Sequence, residues 1–362
     1  VFLSHFLTDI ACGLRYARPN TYKGFFMRIS LQELLEQKHL LLADGATGTN
    51  FMEMDLEPGF PPDLWNLEQP HKPEALHQMF VDAGSDIILT NTFGANAPRL
   101  KLHDAQDQTH AINKAGAEIA GKVAAAADRP VVVAGSVGPT GELFEPMGMM
   151  TMDSARAEFV TQIQGLKDGG ADVAWIETMS APEEIQAACE AAEEVGIPYV
   201  FTASFDTAGK TMMGLAPGNM LSVVAMLPHP PLAYGANCGV GASDLTVSAL
   251  AMTAENPDAV VVGKANCGIP VIKGKETVYT GTPELMADYV KVAGDAGVRI
   301  IGGCCGTAPK HIAAMRVAMD AYNAGPRPTQ EEVVAKLGPL VAPGTSDAGK
   351  ARQAERNKRR RR

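Results

Sequence analysis

Eight short runs of branched and apolar residues recur along the chain, each bounded by glycine, proline or polar residues, and helix-like stretches separate them. They are His39-Leu-Leu-Leu-Ala-Asp-Gly45, Asp86-Ile-Ile-Leu-Thr-Asn-Thr-Phe93, Pro130-Val-Val-Val-Ala-Gly-Ser136 and Asp172-Val-Ala-Trp-Ile-Glu-Thr178. Next come Tyr199-Val-Phe-Thr-Ala-Ser-Phe205, Leu232-Ala-Tyr-Gly-Ala-Asn-Cys238, Ala259-Val-Val-Val-Gly-Lys-Ala-Asn-Cys267 and Val298-Arg-Ile-Ile-Gly-Gly-Cys-Cys305. The intervening patterns include Pro73–Ala83, Ala105–Ala127, Ser154–Asp168, Pro182–Glu194, Pro283–Ala293 and Pro309–Tyr322. Several open on a proline, whose missing N–H costs nothing in a first helical turn. Strongly apolar strands alternating with helices argue for a parallel sheet covered on both faces. Eight such units suit a closed (β/α)8 barrel, the TIM-barrel architecture, formed as one α/β domain by residues 31–325. The alternative, an open doubly wound sheet, calls for a glycine-rich turn after its first strand that opens a helix.

The remaining segments are expected to lie outside that domain. Residues 1–30 read as an N-terminal extension, with Met27 just ahead of the first clear helix pattern. Residues 326–362 read as a short helix followed by disorder, ending in Arg359–Arg362. A hydrophobic share of 46% and a charged share of 20% match a soluble protein with a sizeable core. A formal charge of −10 argues against general nucleic-acid binding, which needs a broad basic surface. No apolar run is long enough to span a bilayer, and the opening residues make a poor secretory signal. Six cysteines are too few for a disulfide scaffold, and Cys304 and Cys305 are adjacent. Together these features point to a cytoplasmic chain with free thiols.

Each apolar run turns polar at its C-terminal end, at Asp44, Asn91, Ser136, Glu177, Ser204, Cys238, Asn266 or Cys267, and Cys304-Cys305. In a (β/α)8 barrel these ends converge on the face where active sites form. Glycines on both sides of Cys304 and Cys305 let the backbone turn tightly and bring both sulfurs to one point. Cys238 ends the sixth run, within reach of the same point. Three thiolates supply three corners of a tetrahedral zinc site and leave one corner open, the mark of catalytic zinc. Soft sulfur favours zinc over magnesium or calcium. Adjacent cysteines also occur as small core residues, but glycines on both sides are wasteful for simple packing. A three-thiolate zinc suits binding a further thiol and lowering its pKa, so the chemistry expected is alkyl transfer to sulfur. Cys267 reads as a spectator, and Cys12 and Cys189 carry no chemistry. Ala208-Gly-Lys-Thr211 echoes a phosphate-binding loop, but Ser204 stands where that motif needs glycine.

Five segments taken together resemble the homocysteine S-methyltransferase family: Asp44-Gly-Ala-Thr-Gly-Thr49, Thr90-Asn-Thr-Phe-Gly-Ala-Asn96, Gly135-Ser-Val-Gly-Pro-Thr-Gly141, Gly235-Ala-Asn-Cys238 and Gly302-Gly-Cys-Cys-Gly-Thr307. The family includes betaine–homocysteine methyltransferases, S-methylmethionine-using enzymes and the homocysteine domain of cobalamin-dependent methionine synthases. The resemblance implies a zinc barrel with Cys238, Cys304 and Cys305 as ligands and the homocysteine sulfur as the fourth, giving methionine as product. It further implies that Asp44 and Glu177 hold the substrate ammonium while backbone amides from Gly45 to Thr47 approach the bound amino acid.

The methyl donor stays open. Betaine-using relatives enclose the quaternary ammonium in aromatic residues, and the corresponding positions here are Gly94 and Thr178, with Trp65 left as a candidate wall. The Thr90–Asn96 segment is closer to the methionine synthase domain, whose folate and cobalamin modules do not fit in this chain. One coherent expectation is a stand-alone homocysteine module that takes methyl from methylcobalamin on a separate protein, with the arginine tail as a docking element. The alternatives are a betaine- or S-methylmethionine-dependent enzyme, and a non-catalytic barrel whose zinc is structural, with Cys267 as fourth ligand.

Overall fold

The computed structural model describes residues 28–341 except 269, 274 and 275. Eight parallel strands form a ring in the order β1-β10-β7-β6-β5-β4-β3-β2. They are β1 (Leu41–Leu42), β2 (Ile87–Leu89), β3 (Val132–Val137), β4 (Val173–Met179), β5 (Tyr199–Ala203), β6 (Ala233–Cys238), β7 (Val261–Ala265) and β10 (Val298–Gly303). A parallel bridge between Ala43 and Ile87, flanked by Asp86 N donating to Leu42 O at 2.7 Å and Asp44 N to Ile87 O at 3.0 Å, joins β1 to β2 and closes the barrel. All eight apolar runs are strands. Helices run between them, and Pro182, Pro283 and Pro309 open theirs as expected. The helix assigned to Pro73 starts two residues earlier, at His71. Pro73 still sits in the first turn, where N–H groups have no helical partner.

Side-chain alternation along the strands divides the core in two. Leu41, Ala43, Ile87, Leu89, Val132, Ala134, Val173, Trp175, Val200, Ala233, Val262 and Ile300 fill the barrel, and Leu31 and Leu34 of the helix Leu31–Gln37 join that cluster. The residues between them face the surrounding helices in a larger outer core. Filling the lower barrel with packed side chains leaves the C-terminal strand ends as the place for polar groups.

One element departs from the sequence reading, and the short helix expected after residue 325 proves to pack on the barrel. After β7 the chain inserts an antiparallel hairpin, β8 (Pro270–Lys273) and β9 (Glu276–Tyr279), before the next helix, Pro283–Asp295. The packed body also runs past residue 325. Thr329 caps a helix at Gln330–Leu337, Val333 and Leu337 join the outer core, and Ser243 Oγ donates to Gly338 O at 2.8 Å. Its composition could not support folding alone, but it folds against the helix Ala242–Glu255, which supplies the apolar partner. Residues 1–27 and 342–362, including Cys12 and the arginine cluster, lie outside the described residues.

Candidate metal centre

Cys238, at the end of β6, and Cys304-Cys305, just after β10, bring their sulfurs within 4.8 Å of one another. Thiolates about 2.3 Å from one tetrahedral zinc stand about 3.8 Å apart, and Cys238 Sγ lies 3.9 Å from Cys305 Sγ. The donor set therefore fits zinc in both element and spacing. Hydrogen bonds from Cys238 and Cys304 hold the Cys305 thiol well below its ordinary range, while Cys238, crowded by both neighbours, is pushed up. Cys267 is buried in the outer core, its sulfur 2.7 Å from where a Cβ on Gly281 would lie, and it is not part of the sulfur cluster.

Backbone strain aims the cluster. Cys238 has φ +61° and Gly239 φ +73°, so the chain leaves β6 through two left-handed residues. Thr178, near the end of β4 two strands round the ring, is also left-handed at φ +63°. For a β-branched residue this conformation costs about 1–2 kcal/mol and needs a local clamp. Asn237 is that clamp. Its Oδ1 accepts from Thr178 N at 2.8 Å and Thr202 Oγ1 at 2.7 Å, while its Nδ2 donates to Thr178 Oγ1 at 2.8 Å and Cys304 Sγ at 3.8 Å. One buried amide thus fixes the bend in β4 and supports a sulfur of the three-cysteine cluster.

That bend is an irregularity in the β4–β5 register between Ile176 and Met179, and Glu177 lies on it. Glu177 Oε1 accepts from Ser136 Oγ at 2.6 Å, and its second oxygen has no hydrogen-bond partner among the described residues. Burial pushes its pKa up to about 7, against the pull of Lys264. Asp44 follows β1 and is buried. Its Oδ1 lies 2.7 Å from Lys264 Nζ, and its Oδ2 accepts from Leu89 N at 2.7 Å. Gly45 and Thr47 belong to the next turn, which Ala46 N ties to Thr307 O and Thr49 Oγ1 ties to Gly306 N. A Cβ at Gly45 would stand 2.4 Å from Thr307 O, so this close approach requires glycine.

Three residues were missed by the sequence reading. Lys264 was visible as a lone charge inside an apolar strand, but its partner lies 220 positions away. Asn237 sat inside a quoted motif with no local sign of its contacts. Tyr279 ends β9 with its ring packed against Gly306, next to Cys305, where a Cβ on that glycine would meet it. The run Glu276-Thr-Val-Tyr279 carried a weak strand signal that the search for eight barrel strands passed over. Trp65, the candidate donor wall, is instead 3% exposed and packs on Phe51 at 5.0 Å between ring centroids. At Gly94 a Cβ would stand 3.0 Å from Asp63 Oδ2, whose partner oxygen already accepts from Gly94 N at 2.9 Å.

A family model described as "Homocysteine S-methyltransferase" matches residues 41–319. The chain is 29% identical over 322 residues to a methionine synthase of Mycobacterium leprae, and 29% identical over 307 residues to that of Mycobacterium tuberculosis. These matches take in 84% and 80% of this chain but only 26% and 25% of those relatives, so the chain spans about a quarter of their length. Among solved structures, the metallated form of the homocysteine methyltransferase MmuM from Escherichia coli superposes with a TM-score of 0.66 at 23% identity, covering 79% of this chain and 99% of that one. The oxidised form of the same protein gives 0.64 at 23% identity, covering 79% and 98%. At that identity the likeness establishes the shared barrel fold. Among the described residues no helix is long and apolar enough to cross a membrane.

Proposed function

Because the chain belongs to the homocysteine S-methyltransferase family, we propose that it methylates the thiol of homocysteine to give methionine, with zinc held by Cys238, Cys304 and Cys305. The observation that carries this reading is the three sulfurs within 4.8 Å of one another at the C-terminal mouth of the barrel. Zinc bound there would lower the pKa of the incoming thiol and leave it as a nucleophilic thiolate near neutral pH. The protein's own groups supply orientation. Glu177, whose second oxygen has no hydrogen-bond partner among the described residues, receives the substrate ammonium, and Asp44 adds negative charge beside it. The N–H groups of Gly45 and Thr47, in a turn pinned to the cysteine turn, approach the amino-acid head. Asn237 donates to Cys304 Sγ and holds that sulfur in place, and Tyr279 packs against the glycine that follows Cys305.

The donor we favour is methylcobalamin carried by a separate protein. Support comes from the missing aromatic cage: Gly94 is backed by Asp63, position 178 is threonine, and Trp65 is packed away in the core. The test is methionine formation by zinc-loaded protein with homocysteine and, in turn, methylcobalamin, betaine and S-methylmethionine. Turnover with methylcobalamin alone is expected. Turnover with betaine or S-methylmethionine would make the protein self-sufficient and overturn the donor assignment, and no turnover with any donor would overturn the activity.

A further inference from the structure

Lys264 sits within β7 at 2% exposure, a place where lysine is rarely found without a strong partner. Its stem crosses over β10 to reach the end of β1, where Nζ meets Asp44 Oδ1 at 2.7 Å. Gly302 makes the crossing possible: a Cβ there would stand 3.0 Å from Lys264 Cγ and 2.9 Å from Ala43 Cβ. With Leu89 N on the other oxygen, Asp44 has both oxygens partnered before any substrate arrives. The lysine ammonium has three N–H donors, of which Asp44 takes one. In register Lys264 lies beside Asn237 of β6 and Gly302 of β10, the strands that lead into Cys238 and Cys304, so the cation stands beside the sulfur cluster. Burial pulls its pKa down, but the charges of Asp44, Glu177 and Cys304 raise it.

The charge balance of the site gives this cation a purpose. Two carboxylates beside three thiolates would attract the ammonium of an amino-acid thiol but repel its carboxylate. A fixed ammonium beside Glu177 turns the same surface into a matched pair for a zwitterion. The geometry points to a division of the amino-acid head between two charges: Glu177 takes the substrate ammonium, and Lys264, locked in place by Asp44, takes the substrate carboxylate. Asp44 then acts as a positioning residue for Lys264 rather than as a direct ligand of the ammonium. This inference rests on the reading of the three cysteines as a thiol site.

Calorimetric titration of the zinc-loaded protein with four thiols tests it: homocysteine, γ-mercaptobutyrate (no ammonium), aminopropanethiol (no carboxylate) and propanethiol (neither). Lys264→Met is expected to weaken homocysteine and γ-mercaptobutyrate by roughly ten- to hundredfold, the loss that follows removal of a charged hydrogen-bond partner, and to leave the other two unchanged. Glu177→Gln is expected to weaken homocysteine and aminopropanethiol only. Lys264→Arg restores part of the carboxylate preference. Because Lys264→Met leaves Asp44 buried and unpaired, Lys264→Met with Asp44→Asn serves as a second variant and should show the same ligand selectivity. If either lysine variant retains its zinc yet weakens all four thiols alike, or none of them, Lys264 is structural only and the assignment falls. If the wild-type zinc protein binds no thiol at all, propanethiol included, the thiol-site reading itself fails, a distinguishable result.

Discussion

Asn237 shows how much one side chain can decide at the three-cysteine cluster. All of its polar capacity is spent inside the protein, on Thr178, Thr202 and Cys304. Replacing it with aspartate keeps an acceptor for Thr178 N but turns the donor facing Cys304 into an oxygen that repels a thiolate. Groups that support metal ligands from behind in this way are worth roughly 10- to 100-fold in metal affinity. Asn237→Asp should therefore weaken zinc binding by that factor in a chelator competition, with the fold intact by circular dichroism. Unchanged affinity would mean that the contact to Cys304 is incidental. Lys264 makes the complementary point, since a charge that looks misplaced in a strand proves to be held by Asp44 across the barrel.

The helix His71–Asp82 carries a built-in sensitivity to acid. His77 on its inner face is 2% exposed, its Nε2 has no hydrogen-bond partner among the described residues, and burial pushes its pKa down to about 4. The unfolded chain binds this proton near the ordinary value of 6.5, so stability is complete above that pH and drains away as the pH falls towards 4. A shift of that size corresponds to about 3 kcal/mol. His77→Leu should raise stability in denaturant titrations at pH 4 by about that amount relative to wild type, with a smaller change at pH 8. An equal effect at both values would show that packing, and not protonation, sets the difference. The hairpin β8–β9 is an element of the opposite kind, an insertion outside the barrel repeat that ends on Tyr279 against Gly306, next to Cys305.

On the scale of the molecule, the barrel is held by a shell that includes a helix from beyond the eight-unit pattern. Deleting residues 326–362 would expose the surface that Val333 and Leu337 cover, at about 1.5–3 kcal/mol for each side chain. A chain ending at 325 should melt several degrees below one ending at 341. Equal melting of the two truncated forms would show that this helix contributes nothing to the body.

The eight strands, the face that bears the site and the three sulfurs were all legible in the sequence, because their causes are local. The apolar runs are short and flanked by breakers, and the glycines of Gly302-Gly-Cys-Cys-Gly306 permit the tight turn that brings both sulfurs to one place. The chain also carried its family in five short segments that follow one another in order. What the tertiary structure alone decided are contacts between distant strands. Lys264 finds Asp44 because β7 and β1 flank β10, and Asn237 reaches Thr178 because β6 and β4 flank β5. Trp65 became core rather than cavity wall because Phe51 lies against it. Such pairings follow from ring closure, which sets which side chains share a volume, and no local pattern of residues encodes that neighbourhood.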